Sequence, residues 1–300
     1  MRTAWLTTLA ALGVAAVLVG CGNSRANTRG VAVVAAENFW GSIVSPIAGE
    51  HATVQSIITN PAQDPHSYEP SAGDARLLAT SQLAIVNGVG YDPWAAKLLA
   101  ANPSGKRVVL TVGGLFGLHT GDNPHRWYSP ANVDSVAYYV TADLSKLDPK
   151  NANYYAARLA TFETKDLHRY HQLIAEIKRR YGGVQVGASE SIFALQAPAL
   201  GLALITPQTF MKAISEGTEV SAQDTIVTQA QIALHQIKVW IYNSQNATPE
   251  IQRLTALARA NHIPVVTITE TLTPATATFE QWQVAQLEEL ERALHEATGR

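Results

Sequence analysis

Four side chains of metal-binding type stand just beyond the ends of predicted strands. His66 and His125 each lie in a loop of the first half of the chain, in a Pro-His dipeptide followed by an aromatic residue and a proline. Glu190 and Glu270 each follow a strand directly in the second half. Neutral imidazole nitrogen and carboxylate oxygen both bind first-row divalent metals. The pattern therefore predicts one metal site with two ligands from each half.

Each of these residues also has an ordinary structural interpretation. A loop histidine more often makes surface hydrogen bonds, and an acid in the first turn of a helix, as Glu190 would be, interacts favourably with the helix dipole. Glu270 fits a solvated loop acid. The metal hypothesis therefore rests on the shared position of the four residues. Glu37, Asp64 and His119 are kept as supporting residues or alternative ligands, and Glu37 is expected to point into the mouth of the same cleft.

Alternating strands and helices must position these side chains. Such alternation predicts an α/β fold with parallel sheets, in which ligands bind at the carboxyl ends of the strands. The predicted strands cover residues 31–36, 54–59, 83–87, 107–112, 184–188, 202–205, 239–243 and 264–268. The predicted helices include residues 42–49, 72–80, 93–101, 223–236, 249–260 and 279–295. We expect two lobes, residues 31–148 and 182–300, each with a parallel sheet flanked by helices.

One long helix is predicted to join the two lobes. Asp148 stands at the N-cap position, Pro149 at the first helical position, and glycines at 182 and 183 end the apolar helical pattern. At ~1.5 Å per residue, a helix over residues 149–181 is ~50 Å long. We therefore predict a rigid α-helical connection between the lobes.

The N-terminus predicts export. An apolar run after Met1 and Arg2 indicates a signal peptide over residues 1–20, and the sequence up to Cys21 resembles a bacterial lipobox. Cys21 is the only cysteine, so no disulfide forms within the mature chain. Acyl chains on Cys21 would hold the protein on a membrane, with residues 21–30 as a flexible tether. The alternative is an ordinary cleaved signal with an incidental cysteine.

The overall charge gives no indication of nucleic-acid binding. The formal net charge is −2 at pH 7, and the sequence contains no basic tract. A protein that binds nucleic acid needs clustered Lys and Arg to neutralise phosphates. We therefore expect no nucleic-acid partner.

The motifs around the four candidate ligands resemble a known family, the zinc- and manganese-binding lipoproteins of ABC importers. The resemblance covers nearly all of residues 31–294. It is carried by Asp64-Pro65-His66-Ser67-Tyr68-Glu69-Pro70, Ala84-Ile85-Val86-Asn87-Gly88, Asp92-Pro93-Trp94, Asn123-Pro124-His125-Arg126-Trp127, Tyr242-Asn243-Ser244-Gln245 and Val266-Thr267-Ile268-Thr269-Glu270-Thr271.

The resemblance implies that metal is clamped between the two lobes. It assigns His66, His125, Glu190 and Glu270 as ligands, with Glu270 at a position where Asp is common. The ligand is one Zn²⁺ or Mn²⁺ per chain: two carboxylates favour manganese, whereas intrinsic affinity favours zinc. The implied protein is a monomeric, lipid-anchored, extracytoplasmic substrate-binding protein that delivers metal to an ABC permease and is not an enzyme.

Two other functions stay open at this point. A surface adhesin or interaction lipoprotein would keep its function after loss of the metal ligands. A secreted metallohydrolase would need an open coordination position and a nearby general base. Four protein ligands without an evident extra base favour the binding protein.

Overall fold

The computed structural model describes residues 30–63 and 65–300. The predicted signal peptide, Cys21 and Asp64 lie outside the described residues, as does the predicted tether except for its last residue. In the described part of the chain, no helix combines the length and the apolar character needed to cross a bilayer.

The first half forms a four-stranded parallel sheet, as predicted. Its spatial order is β2-β1-β3-β4. The strands are β1 Val31–Glu37, β2 Ala52–Ile58, β3 Leu83–Val86 and β4 Val108–Thr111. The two central strands, β1 and β3, are buried apolar runs, whereas the edge strands β2 and β4 are partly exposed.

Helices connect these strands and continue beyond β4. They are α1 Asn38–Ala48, α2 Ala72–Thr80, α3 Pro93–Ala101, α4 Val112–Leu115 and α5 Pro130–Leu147. The helix α2 begins at a capping box in which Ser71 and Asp74 satisfy each other's backbone N–H groups. The sequence predicted α2 and α3 with their observed bounds. It did not predict α5, an 18-residue helix that begins at Pro130.

The second half repeats the same topology. Its sheet is parallel in the order β6-β5-β7-β8, which matches the first sheet strand for strand. The strands are β5 Gln185–Ala188, β6 Ala203–Leu204, β7 Trp240–Asn243 and β8 Val265–Ile268. The helices are α8 Gln208–Ser215, α9 Ala222–Ala233, α10 Pro249–Ala260 and α11 Phe279–Thr298. Of these helices, only α8 was not predicted.

The connection between the halves is helical over residues 149–181 except at Leu167, which is a turn, and it is not one uninterrupted α-helix. A 3-10 turn at Pro149–Asn151 precedes α6, Ala152–Thr161, and a π-helical turn at Phe162–Asp166 separates α6 from α7, His168–Tyr181. The Asp148 side chain does not cap the segment. It accepts hydrogen bonds from Asn151 and from the Tyr155 hydroxyl instead.

The spacing of apolar residues explains the π-helical turn. Phe162 and Leu167 are both fully buried although they are five positions apart, and in a regular α-helix that spacing points side chains to different faces. The Leu167 N–H donates to the Phe162 carbonyl at 2.8 Å, so the chain gains one residue in this turn. Both side chains can then face the same core.

A single hydrophobic core runs through both halves. Its buried members include Val33 and Phe39 from the first half and Trp240, Trp282 and Leu290 from the second. A smaller cluster around Trp94 covers the other face of the first sheet. Because the large core is continuous, wide separation of the halves would expose buried apolar surface to water. Each Å² exposed would cost about 25 cal/mol of free energy. The division into two lobes at residues 148 and 182 stays a prediction.

Candidate metal centre

Three of the four candidate ligands lie together at the junction of the two halves. His125, Glu190 and Glu270 each offer one ligand atom, and these atoms lie within 4.8 Å of one another. All three residues are buried. His125 follows β4 in the first half, whereas Glu190 follows β5 and Glu270 follows β8 in the second. The parallel sheets therefore bring their carboxyl ends, and these side chains, to one point.

His66 lies near this group but is not one of its three members. Its exposed ring stands 4.7 Å from the Tyr91 ring, measured between centroids. The Tyr91 hydroxyl donates to Glu270 Oε2 at 3.0 Å, and the ring of His125 is 6.0 Å from that of Tyr91. His66 and Glu270 also line the same cleft of about 770 Å³. His66 thus stands at the mouth of the site, and its ligand role stays a prediction.

The candidate supporting residues have different outcomes. Glu37 does not point into the cleft mouth, because it is 0 % exposed and its neighbour is the Asp92 carboxyl. His119 is exposed and, like Glu37, is not in the close group of described ligands. Asp64 lies outside the described residues.

Glu37 and Asp92 form a buried carboxyl pair below the His125 loop. Burial, and then the Asp92 charge, raise the pKa of Glu37 well above its usual value. Burial raises the pKa of Asp92 to about 6, although the Asn87 and Gly88 N–H groups each donate to it at 2.7 Å. Among the described residues neither Glu37 oxygen has a donor. The raised pKa favours a proton on Glu37, and in that state Asp92 is the acceptor that faces it.

This pair supports the His125 loop through Asn87. The Asn87 side chain accepts from the Trp40 indole at 3.2 Å and donates to the Pro124 carbonyl at 3.1 Å. Pro124 directly precedes His125. A change at Glu37 can therefore reach the metal site only through a buried hydrogen-bond network, and not by direct coordination.

A second amide fixes the His125 ring. Asn123 Nδ2 donates to the Ser191 carbonyl at 2.7 Å, so Asn123 Oδ1 is the acceptor that faces His125 Nδ1 at 2.9 Å. His125 Nδ1 consequently carries the proton, and Nε2 has the lone pair that a metal needs. The same asparagine joins the two halves, because Ser191 follows Glu190.

Two further amides hold the carboxylates. Asn243 Nδ2 donates to Glu190 Oε1 at 2.7 Å and to Glu270 Oε1 at 3.0 Å. Asn246 Nδ2 donates to the other Glu190 oxygen at 2.6 Å. These bonds set the distance between the acids. Each amide is neutral, so the hydrogen bonds orient the acids without cancelling their charge.

Burial raises the pKa of Glu190 and lowers the pKa of His125. Burial, and then the Glu270 charge, raise the pKa of Glu190 to about 8. Burial, and then the nearby His66, lower the pKa of His125 to about 3. At neutral pH His125 is therefore neutral and able to bind a metal, whereas Glu190 holds a proton that a divalent cation must displace.

The sequence analysis missed the residues that orient the ligands. Tyr91, Asn87, Asn123, Asn243 and Asn246 were given no role, although three of these asparagines lie in motifs quoted above. A usable signal existed, because Asn87 and Asn243 stand at strand ends beside the predicted site. Which atom each amide contacts depends on loop geometry, which spacing alone does not specify.

Comparison with known proteins identifies the family. The model of the family described as "ZnuA: Zinc-uptake complex component A periplasmic" matches residues 33–293. The chain belongs to this family. Within the ZnuA family it is 28% identical over 169 residues to the manganese-binding lipoprotein MntA of Halalkalibacterium halodurans. That match covers 54% of this chain and 55% of the relative, so the chain spans about half the length of this relative.

Solved structures share the fold. A manganese-bound periplasmic metal-binding protein of Candidatus Liberibacter asiaticus aligns with a TM-score of 0.72 and 19% identity, over 89% of this chain and 100% of that chain. A mutant of the laminin-binding adhesin Lmb of Streptococcus agalactiae aligns with a TM-score of 0.70 and 20% identity, over 88% and 100%. Because metal-binding and adhesin proteins both have this fold, the fold alone does not separate the two functions.

The Glu37–Asp92 pair generates a prediction about stability. Glu37→Gln keeps an N–H donor for Asp92, so its free energy of unfolding at pH 7 should stay within about 1 kcal/mol of the parent. Glu37→Ala removes the donor and leaves a cavity, and should lower that free energy by about 2–3 kcal/mol. Urea unfolding followed by tryptophan fluorescence measures both.

The exposed Glu219 offers a matched control, because Glu219→Ala removes the same atoms at the surface and should change little. If Glu37→Gln and Glu37→Ala lowered the free energy of unfolding equally, a hydrogen-bond donor at position 37 for Asp92 would be contradicted.

The pKa of Glu190 predicts how pH affects the metal-free protein. Between pH 6.5 and 8, folded protein keeps a proton on Glu190 that unfolded protein has lost. Stability should therefore fall as pH rises, by on the order of 1–2 kcal/mol over this interval; buried Glu37 acts in the same direction, whereas His125, whose pKa is lowered, acts weakly in the opposite direction. Thermal unfolding at several pH values measures the fall, and Glu190→Gln should reduce it. Constant or rising stability in the parent would show that Glu190 is ionised without metal.

Proposed function

We propose that this chain is the lipid-anchored, extracytoplasmic substrate-binding protein of an ABC importer for Mn²⁺ or Zn²⁺. The observation that carries the proposal is the convergence of His125, Glu190 and Glu270 at a buried point between the two halves. His66, at the mouth of the same site, is the fourth ligand in this proposal. Membership of the ZnuA family supports it independently.

The electrostatics of the site suit capture of a divalent cation. Burial beside Glu270 keeps a proton on Glu190, and a +2 ion that displaces this proton neutralises both carboxylates while the neutral His125 imidazole supplies a lone pair. The cleft with His66 and Glu270 in its lining gives an ion a path to the site. A metal bound by groups of both halves would be held until the cleft opens.

The ligand set fits manganese or zinc. Carboxylate oxygens favour the harder Mn²⁺, whereas Zn²⁺ binds more tightly than Mn²⁺ to most sites of mixed nitrogen and oxygen donors. Calcium prefers six to eight oxygen ligands, so an imidazole-containing site should bind it poorly. Both transition metals are therefore included in the proposal.

The partners follow from the family and from the N-terminal sequence. We propose that an ABC permease receives the metal and that lipidated Cys21 keeps the protein at the membrane, with the chain acting as a monomer and not as an enzyme.

Within the described residues, the three close ligands would occupy three metal positions and His66 a fourth. A catalytic metal, in contrast, normally keeps a position for water or substrate.

The first test of this proposal is metal-dependent thermal stability. Binding at about 1,000 times the dissociation constant adds about 4 kcal/mol, so Mn²⁺ or Zn²⁺ should raise the Tm by on the order of ten degrees. His125→Ala and Glu190→Gln should remove most of this rise, because each deletes a ligand. His66→Ala should do the same if His66 binds the metal. Each variant is compared with its own metal-free Tm, and calcium serves as the control ion.

His168→Ala is the matched control variant, because His168 is an exposed histidine on α7. It should keep the full rise. A rise that survives in His125→Ala would contradict the assigned site. A rise that survives only in His66→Ala would remove His66 from the ligand set and leave the other three.

The membrane anchor has its own test. Cys21→Ser removes the thiol that would carry the lipid, so the full-length chain expressed in a bacterium should move from the membrane fraction to the soluble extracytoplasmic fraction. Fractionation followed by immunoblotting measures the change. Metal-induced stabilisation of the purified protein should stay the same, because Cys21 lies outside the metal site. Retention of the variant in the membrane would exclude Cys21 as the anchor.

A further inference from the structure

One glutamine side chain connects the candidate metal ligands of both halves. Gln245 Oε1 accepts from the backbone N–H of Glu270 at 2.6 Å and from that of Thr271 at 3.0 Å. Gln245 Nε2 donates to the Thr271 hydroxyl at 2.9 Å and to the Pro61 carbonyl at 2.5 Å. The amide thereby uses both lone pairs of its oxygen and both hydrogens of its nitrogen.

The partners fix the orientation of this amide. The two backbone N–H groups can only donate, so they require the oxygen, and the Pro61 carbonyl can only accept, so it requires the nitrogen. The backbone N–H of Gln245 itself donates to Asn243 Oδ1 at 3.0 Å. Gln245 is therefore held next to the asparagine that contacts both Glu190 and Glu270.

These bonds reach across the site. Pro61 belongs to the His66 loop, residues 59–71 between β2 and α2, and Glu270 belongs to the Glu270 loop, residues 269–278 between β8 and α11. Gln245 follows β7, so a residue of the second half holds a loop of the first. His66 comes five residues after Pro61. Pro61 and His66 thus share one loop, in which Trp94 of the first half also donates to the carbonyl of Pro65, directly before His66, at 3.1 Å.

Other hydrogen bonds also join the halves, but they act elsewhere. Asn123 connects the His125 side to Ser191, and the Tyr128 hydroxyl donates to the Thr269 carbonyl at the base of the site. Lys212 Nζ donates to the Gly121 carbonyl at the exposed rim. None of these three bonds involves the His66 loop.

We propose that Gln245 is a positioning residue that docks the His66 loop against the second half and thereby slows release of the bound metal. The proposal goes beyond the ligand set and rests on the proposed metal-binding function. Docking requires the Pro61 bond, whereas support of the Glu270 loop requires the two bonds to Gln245 Oε1. Substitutions can separate these two roles.

Gln245→Glu and Gln245→Met separate the roles. A carboxylate at position 245 still accepts from Glu270 and Thr271 but has no hydrogen for Pro61, whereas methionine loses both sets of bonds. Hydrogen exchange of metal-free protein reports the loops directly. We expect faster exchange in residues 60–69 for both variants, and faster exchange in residues 270–273 for Gln245→Met only.

Metal release is measured on Mn²⁺- or Zn²⁺-loaded protein mixed rapidly with excess chelator. Loss of the Pro61 bond, which both variants share, should by itself raise the release rate roughly three- to tenfold. The association rate should change much less, because the ligands and the cleft remain. The extra negative charge in Gln245→Glu attracts the cation more strongly, so faster release in that variant would have to come from the lost Pro61 bond.

Gln252→Met is the matched control. Gln252 is an exposed glutamine whose Nε2 donates to the Ala247 carbonyl at 3.0 Å within the second half, so its loss should change neither loop exchange nor release.

The proposal would be overturned if residues 60–69 exchanged hydrogen at the same rate in both Gln245 variants as in the parent. It would also be overturned if both variants released metal at the parent's rate. Faster exchange confined to residues 270–273 would reduce Gln245 to a support of the Glu270 loop. If the parent bound neither metal, the proposed function would fail, whereas exchange in the metal-free protein would still decide whether Gln245 docks the loop.

Discussion

The constraint on which this structure depends is the burial of two carboxylates side by side. Glu190 and Glu270 stand close together where water is largely excluded. Two unit charges about 5 Å apart repel by about 3 kcal/mol at an effective dielectric constant of 20. Without a cation the pair avoids this repulsion because Glu190 keeps a proton, which a divalent cation would have to displace. The strand ends of the parallel sheets fix the backbone positions of both residues, and the continuous core keeps those strand ends in place.

Neutral amides orient the two carboxylates without lowering their attraction for a cation. A lysine or arginine beside Glu190 would stabilise the carboxylate but would also provide the positive charge that the metal should provide. The donors that reach the two Glu190 oxygens are Asn243 and Asn246. Side-chain amides orient the acids and leave their charge to be neutralised by the cargo. The Asn123 amide acts in the same way on His125, where it selects the tautomer without adding charge.

The sequence predicted those elements whose ends carry local signals. The helices α2, α3 and α10 have capping residues or an initial proline, and their bounds were predicted correctly. The π-helical turn was missed because the five-residue step from Phe162 to Leu167 was not recognised as a change of period. Strand-end reasoning correctly predicted that the side chains of His125, Glu190 and Glu270 meet at one junction. It could not place His66, whose ring position depends on a long loop and on contacts with the other half.

The same limit explains the error at Glu37. Position after a strand indicates which edge of the sheet a residue occupies, but not whether its side chain points to the cleft or into the core. Glu37 is the last residue of β1, and its side chain points to Asp92 at the start of α3. Asp92 was quoted in the sequence as part of a motif, yet only the fold brings the two acids together.

The shared core and the bonds between the halves restrict how metal can enter and leave. Wide opening would have to break the aromatic and aliphatic packing that runs from Phe39 to Trp282, together with the buried Tyr128–Thr269 bond. Displacing the His66 loop from the second half breaks the Gln245–Pro61 bond at the cleft mouth and leaves that packing intact. Local loop motion is therefore the less costly route to the buried acids. If the proposed metal site is correct, the residence time of the metal depends on what holds the loop as well as on the ligands.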